Sequence, residues 1–268
     1  MPTFETTDGV TLHYLDEGAG APVVLVGGYA VSADTWALTS DALLAAGYRV
    51  IALDRRSHGA SESPLHGQRM SRHGADLAEL LRTLGLSDAV LVGGSMGAST
   101  IWALVDLFGT AGIRGIVTVD QTPKMMNTAE WPHGFYGLDE SNVGTFFADG
   151  IPDTGRGRRI DAAMPGVLRL IERLGGMPAA REANAPETVR LLWDHAVQDW
   201  RDVLERLDVP FLMIAGERSQ LWPNGHALDP VARNPLGRAA IVAGAGHATN
   251  FDAPDAVNAL LLAFLSEL

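Results

Sequence analysis

Ser95 stands in the run Val90-Leu-Val-Gly-Gly-Ser-Met-Gly-Ala-Ser99, with a glycine two residues to either side. An apolar run that breaks at Gly93 and resumes near Met96 reads as a buried strand turning sharply into a helix. A serine on such a turn has its hydroxyl lifted above the sheet edge. Neighbours without side chains are needed where strand and helix pass close. The N–H groups that follow lie at a helix N-terminus, where partial positive charge suits a developing oxyanion. The spacing Gly93-x-Ser95-x-Gly97 is that of a nucleophile elbow, and its chemistry is attack of a serine oxygen on an acyl carbon. The pentapeptide alone also describes an ordinary strand-to-helix turn around a buried small residue.

A serine nucleophile needs a base, and the base needs an orienting acid. Of the eight histidines, His247 has the best setting. It closes the glycine-rich turn Ala243-Gly-Ala-Gly-His247, after an apolar run and shortly before the last helical stretch. In a parallel sheet, the loops after the strand C-termini converge on one edge, so His247 and Ser95 can meet there. His58, in another glycine-bearing loop, is the alternative base. His13, His66, His73, His133, His195 and His226 have no such context and read as surface or structural groups. No histidine pair has a metal-ligand spacing such as HExxH. The chain has no cysteine, which excludes disulfides, thiol nucleophiles and cysteine-ligated metals.

The elements that must position these residues alternate. Residues 3–6 and 10–15 form a β-hairpin around Asp8-Gly9. The run Val23-Val-Leu-Val26 is a strand covered on both faces, followed by the turn Gly27-Gly28-Tyr29. A helix over 39–46 ends at Gly47, and a strand over 48–53 ends at Asp54. Leu77, Leu80, Leu81 and Leu84 space an amphipathic helix over 71–84. The elbow strand, a helix to Phe108 and a strand over 115–119 come next. This order predicts a mostly parallel sheet with helices on both sides.

After Asp120 the alternation stops. Residues 123–190 hold Trp131, Phe135, Tyr136, Phe146 and Phe147 among glycines and prolines. A helix beginning at Ile160 or Val167 runs to Leu174, and another, with or without a break, spans 187–207. So many large apolar groups suit an inserted cap better than a linker. Alternation resumes with a strand over 210–215, a helix over 226–233, a strand over 239–242 and a terminal helix over 254–265. Residues 1–122 and 191–268 therefore read as one core, with 123–190 as a cap. The aromatics 131, 135, 136, 146 and 147, with Tyr29 and Trp222, are candidates to line an apolar substrate pocket; packing among themselves is the competing role.

A length of 268 residues suits one large α/β domain with an insertion. A net charge of −12 argues against nucleic acid or an anionic membrane surface as partner. No basic-then-apolar leader opens the sequence, and no apolar run approaches membrane-spanning length. The expectation is a soluble, cytoplasmic protein acting on a small molecule. Nothing in the sequence sets its oligomeric state.

Three motifs taken together resemble the α/β-hydrolase superfamily: the elbow around Ser95, the loop Asp54-Arg-Arg-Ser-His-Gly-Ala-Ser61, similar to DxRGxGxS, and the terminal Gly244-Ala-Gly-His247. The resemblance covers nearly the whole chain apart from the cap. It is strongest to small serine esterases and to cofactor-free haloperoxidases and perhydrolases. It implies an eight-stranded, mostly parallel sheet with helices on both faces and an inserted, mainly helical cap. It also implies a catalytic triad that uses no metal and no cofactor.

Two positions depart from the family pattern. The oxyanion loop usually reads His-Gly-x, whereas this chain has Gly27-Gly28-Tyr29. The backbone donors need no histidine, and by position they are the N–H groups of Tyr29 and Met96. The family acid usually follows the next-to-last strand, as Gly-x-x-Asp. Here Gly216-Glu-Arg-Ser219 puts a serine in its place, and a serine cannot stabilise an imidazolium by charge. Asp120, ending the strand after the elbow helix, is the expected substitute. Glu217 is the competitor. Asp54 and Glu62 are expected to order their own loop.

The implied activity is hydrolysis of an ester, thioester or lactone of a small, largely apolar substrate through an acyl-enzyme. Perhydrolase or haloperoxidase-like chemistry and carbon–carbon bond hydrolysis are the alternatives on the same site. Haloalkane dehalogenases and epoxide hydrolases carry an aspartate at the elbow, so Ser95 argues against both. A ligand-binding receptor that kept the fold and lost turnover is the alternative of another class.

Overall fold

A computed structural model describes residues 2–178, 180 and 185–268. In chain order the strands are β1 (Thr3–Glu5), β2 (Thr11–Glu17), β3 (Pro22–Val26), β4 (Arg49–Leu53), β5 (Ala89–Gly94), β6 (Ile113–Val119), β7 (Phe211–Gly216) and β8 (Gly237–Val242). The helices are α1 (Ala37–Ala45), α2 (Met70–Thr83), α3 (Met96–Phe108), α4 (Pro165–Leu174), α5 (Pro186–Ala196), α6 (Arg201–Arg206), α7 (Gly225–Ala232), α8 (Thr249–Asp252) and α9 (Pro254–Ser266).

The strands form one sheet in the order β1-β2-β4-β3-β5-β6-β7-β8. Pairing is antiparallel at β1–β2 and β2–β4 and parallel elsewhere. Successive strand residues point to opposite faces, so the apolar runs feed two cores. Val24, Val26, Leu91, Ile116 and Met213 pack with Leu77 and Leu80 of α2 and Trp102 of α3. Val23, Leu25, Val90, Val92 and Ile214 pack with Leu43 of α1 and Leu261 and Phe264 of α9. Burying a leucine such as Leu77 or Leu80 contributes about 2 kcal/mol. The helices on both faces cover the continuous apolar strands, as the sequence predicts.

The connections diverge at β3 and β5. From β3 the chain moves outward to β4, and from β5 it moves the other way to β6. Strand order reverses between them, which opens a crevice at their C-terminal ends. Gly27-Gly28-Tyr29 and Ser95 both sit there.

Between β6 and β7 the structure differs in part from the expectation. Among the described residues, helix within 123–190 is confined to α4 and the start of α5. The preceding stretch is a series of turns. Asn127 organises it: its amide donates to the carbonyls of Phe135 (2.6 Å) and Leu138 (2.8 Å) and accepts from Gly134 N–H (3.0 Å). The expected boundary at 190 falls inside α5. The helical stretch expected over 187–207 does break, into α5 and α6. Trp200 N–H donates to Pro123 O at 2.9 Å, and Asp199 pairs with Lys124 at 3.2 Å. These contacts tie the break to the exit from β6. Among the described residues no helix is long and apolar enough to cross a membrane.

Candidate active site

Ser95 links β5 to α3 with φ 50° and ψ −131°. That backbone is strained for a residue with a side chain and is held by its surroundings. Ser95 N–H donates to Val119 O at 2.8 Å. The flanking glycines are needed for closeness: a Cβ on Gly93 would lie 2.5 Å from Ala98 N, and one on Gly97 would lie 2.2 Å from Val26 O. The elbow spacing read from the sequence thus has a steric cause in the crossing of β3, β5 and α3.

His247 lies in the loop after β8. Its Nε2 is 2.9 Å from Ser95 Oγ, and its Nδ1 is 2.8 Å from Asp120 Oδ2. Trp222 stands edge-on to the imidazole, with ring centroids 5.0 Å apart. His247 N–H donates to the side-chain oxygen of Gln220 at 3.0 Å. The structure brings Ser95, His247 and Asp120 into one hydrogen-bonded line.

Asp120 follows β6 with φ 47° and is wholly buried. Gly216 N–H donates to its Oδ1 at 2.9 Å, and Ser219 Oγ donates to its Oδ2 at 2.6 Å. His226 Nε2 lies 3.4 Å from Oδ1. Burial pushes this carboxyl up, but hydrogen bonds from His226 and His247, with their charge, outweigh it and bring it down to about 2. Glu217, the competing acid, is exposed and accepts from Gly244 N–H at 2.7 Å. It fastens the loop that carries His247 and makes no contact with the imidazole in the structure.

Tyr29 and Met96 border Ser95 in the wall of one cavity. Met96 opens α3, so its N–H belongs to the first turn, where helix donors lack intrahelical partners. The Gly27 and Gly28 carbonyls are turned to Arg55, whose Nε and Nη2 donate to them at 3.0 and 2.5 Å. Arg55 is 2% exposed, and burial pulls its guanidinium down to about 9. It also bonds His73 Nδ1 and His58 Nε2, each at 3.0 Å, which turns His58 away from the base position. Asp54 accepts from His13, Ala33 N–H and Ala60 N–H, and Glu62 accepts from Thr11 N–H, so both order their own surroundings.

Two lobes meet at Ser95. The larger, about 270 Å³, is lined by Gly28, Trp36, His247 and Phe251, with Ile151 and Ile160 from the segment after β6. The smaller, about 20 Å³, is lined by Met96, Gln121, Met125, Leu192 and His195. Of the aromatics proposed for a pocket, Tyr29 borders both lobes and Phe135, Phe147 and Trp222 border the smaller. Trp131, Tyr136 and Phe146 border neither. Trp131 is buried with its indole N–H on Lys124 O, Tyr136 lies under the Arg156 guanidinium, and Phe146 packs edge-on to Phe135 and Phe147. Those three serve the insertion's own packing.

Sequence reasoning gave no role to Ser219, His226, Gln121, His195 or Arg55. Two of them carry a local signal: Ser219, as the residue in the usual acid position, and Arg55, as the second residue of the quoted Asp54 loop. Among the described residues, no group of three or more histidine, aspartate or glutamate side chains could hold a metal ion.

A family model described as the alpha/beta hydrolase fold matches residues 21–163. The chain belongs to the α/β hydrolases. This α/β hydrolase is 31% identical to a non-heme haloperoxidase of Rhodococcus erythropolis over 99% of both chains. It is 28% identical to a bifunctional esterase/perhydrolase of Acinetobacter calcoaceticus, over 97% of this chain and 98% of that one. A bromoperoxidase structure from Bacillus anthracis superposes with a TM-score of 0.81 at 26% identity, covering 99% of this chain and all of the other.

Proposed function

We propose that this α/β hydrolase cleaves an ester, thioester or lactone of a small, largely apolar substrate through an acyl-enzyme on Ser95. The observation that carries the reading is the line from Ser95 Oγ through His247 to Asp120, with links of 2.9 and 2.8 Å. His247 Nε2 takes the serine proton as Oγ attacks the acyl carbon. The Asp120 carboxylate keeps the proton on Nδ1 and stabilises the imidazolium that forms. The N–H groups of Tyr29 and Met96 hold the oxyanion, each donor contributing about 3 kcal/mol in the transition state. Arg55 keeps the neighbouring carbonyls turned away from that charge. The imidazolium then gives its proton to the leaving group, and water activated by His247 releases the acid. Residues 123–190 act as the cap, reaching the larger lobe through Ile151 and Ile160.

Ser95→Ala is expected to abolish turnover of p-nitrophenyl acetate and labelling by a fluorophosphonate probe. Unchanged turnover in the variant removes Ser95 from the reaction. A wild-type protein that neither labels nor turns over favours the ligand-binding receptor.

A second reading is favoured by the names of the haloperoxidase and esterase/perhydrolase relatives. Hydrogen peroxide in place of water would attack the acyl-enzyme, giving a peracid and free Ser95. The peracid would then oxidise bromide to hypobromous acid and return to the carboxylic acid. Bromination of monochlorodimedone with acetate and peroxide tests it, and full activity in Ser95→Ala rules out this route.

A further inference from the structure

The larger lobe is lined by His247 and the smaller is not. His247 must hand its proton to the departing oxygen, so the leaving group extends on the His247 side. On the acyl-enzyme reading given above, the acyl group then falls in the smaller lobe. At about 20 Å³ against about 270 Å³ it is much the tighter of the two lobes. That admits only a short acyl chain.

Beyond Ser95 itself, Tyr29 and the Trp222 indole, the polar side chains in the walls of this lobe are Gln121 and His195, which are 1% and 4% exposed. The Gln121 amide is oriented by its NH₂ group, which donates to Thr122 O at 2.8 Å and faces His195 Nε2 at 3.4 Å. With Nε2 as the acceptor, the imidazole carries its proton on Nδ1. Burial, with the charge of Arg55, pulls His195 down to about 3, so it is neutral at the pH of any ordinary assay. Three buried atoms of the lining residues have no partner among the described residues: Gln121 Oε1, an acceptor, and His195 Nδ1 and Trp222 Nε1, both donors. Unmet donors and an unmet acceptor are costly when buried, and all three come from residues lining one small space. A carboxylate would meet the repulsion of Gln121 Oε1, and an ammonium would find no anion. A hydroxyl suits this set, since it accepts from a donor such as His195 Nδ1 while donating to Gln121 Oε1.

We propose that the smaller lobe selects a short acyl group bearing a hydroxyl, with Gln121 and His195 as the residues that read it. The substrate class is then an ester of a hydroxy acid of about three or four carbons with a larger apolar alcohol. A site built to bond a hydroxyl discriminates strongly against the analogue lacking it.

The test compares benzyl esters, with released alcohol measured by chromatography. Propanoate is set against 2-hydroxypropanoate, and butanoate against 3-hydroxybutanoate. At least one hydroxyacyl ester is expected to exceed its plain partner at least tenfold in kcat/KM, with benzyl hexanoate poorer than all four. In Gln121→Leu and His195→Leu that ratio is expected to fall to within about twofold, with fluorophosphonate labelling of Ser95 retained. Benzyl acetate hydrolysis with no discrimination in either pair overturns this assignment and leaves the serine hydrolase reading standing; it also means the lobe holds only water. A ratio that survives in both variants overturns it as well, by placing the recognition elsewhere. Failure to hydrolyse any ester, with no labelling of Ser95, overturns both.

Discussion

Strands β6 and β7 lie side by side and end at the same sheet edge, but their loops present opposite kinds of carboxylate. The loop after β6 presents Asp120, wholly buried and hydrogen-bonded by Gly216 N–H, Ser219, His247 and His226. The loop after β7 presents Glu217, exposed and bonded to Gly244 N–H, and Ser219, whose hydroxyl donates to Asp120. Which loop an acid comes from matters less than where its oxygens arrive. Stabilising an imidazolium takes a desolvated carboxylate at Nδ1 with enough donors to stay ionised. At the β6 end the fold meets both conditions, and at the β7 end it supplies a donor instead.

The largest expected effect separates the two loops directly. Asp120→Asn keeps the shape but removes the charge and offers His247 the wrong hydrogen-bond partner. Turnover of p-nitrophenyl acetate is expected to fall about 10³- to 10⁴-fold in kcat. Glu217→Gln is expected to change it by less than about threefold, since an amide oxygen still accepts from Gly244 N–H. The reverse order would move the acid to the β7 loop.

A double change sharpens the comparison. Ser219 Oγ lies 2.6 Å from the same Asp120 oxygen that bonds His247. An aspartate at 219 reaches one bond further than the serine, into the space that a shortened residue 120 would vacate. Asp120→Ser with Ser219→Asp is therefore expected to recover about 10²-fold of the activity that Asp120→Ser alone loses, seen as kcat in the same assay. No recovery would mean that the backbone at Ser219 cannot bring a carboxylate to Nδ1.

How much of this was legible in the sequence follows from how local each signal is. The Ser95 elbow is written within five residues because its constraint is a close crossing of backbone. The alternating strands and helices are written by periodicity. The missing carboxylate at the usual position is visible at Ser219, and its place at a strand end makes Asp120 the candidate substitute. The donors that keep Asp120 ionised come from Gly216, Ser219, His226 and His247, far away in sequence, so no local pattern shows them. His195 and His226 looked like any other histidine, yet both are buried beside functional groups. The cap aromatics were legible as apolar mass only. Whether Trp131 or Phe147 faces a cavity depends on turns fixed by Asn127 hydrogen bonds, which leave no periodic trace.

The buried carboxylate also has a signature in stability. Asp120 sits at about 2, below the ordinary 3.8, so it contributes stability above pH 4 that is lost as the pH falls toward 2. The difference corresponds to about 2 kcal/mol, roughly half of it gone by pH 3. Urea unfolding of wild type and Asp120→Asn isolates this share, because the amide does not titrate. The stability gap between them is expected to shift against the wild type by about 1 kcal/mol from pH 5 to pH 3. A gap that stays constant over that range would mean that Asp120 is not held ionised.

The smallest expected effect falls on the other loop. Glu217 bonds Gly244 N–H across exposed surface, and Gly244 begins the turn that ends at His247. Glu217→Ala removes one acceptor where water can replace it, so stability should drop by no more than about 1 kcal/mol. The turn keeps other ties, among them Arg218 N–H to Ala245 O at 2.8 Å, Gly246 N–H to Asp252 at 2.8 Å and His247 N–H to Gln220 at 3.0 Å. His247 should therefore stay in place, with kcat lowered less than about fivefold and KM little changed. A loss approaching that of Asp120→Asn would show that the fastening of the histidine loop, as much as the buried carboxylate, governs the reactivity of Ser95.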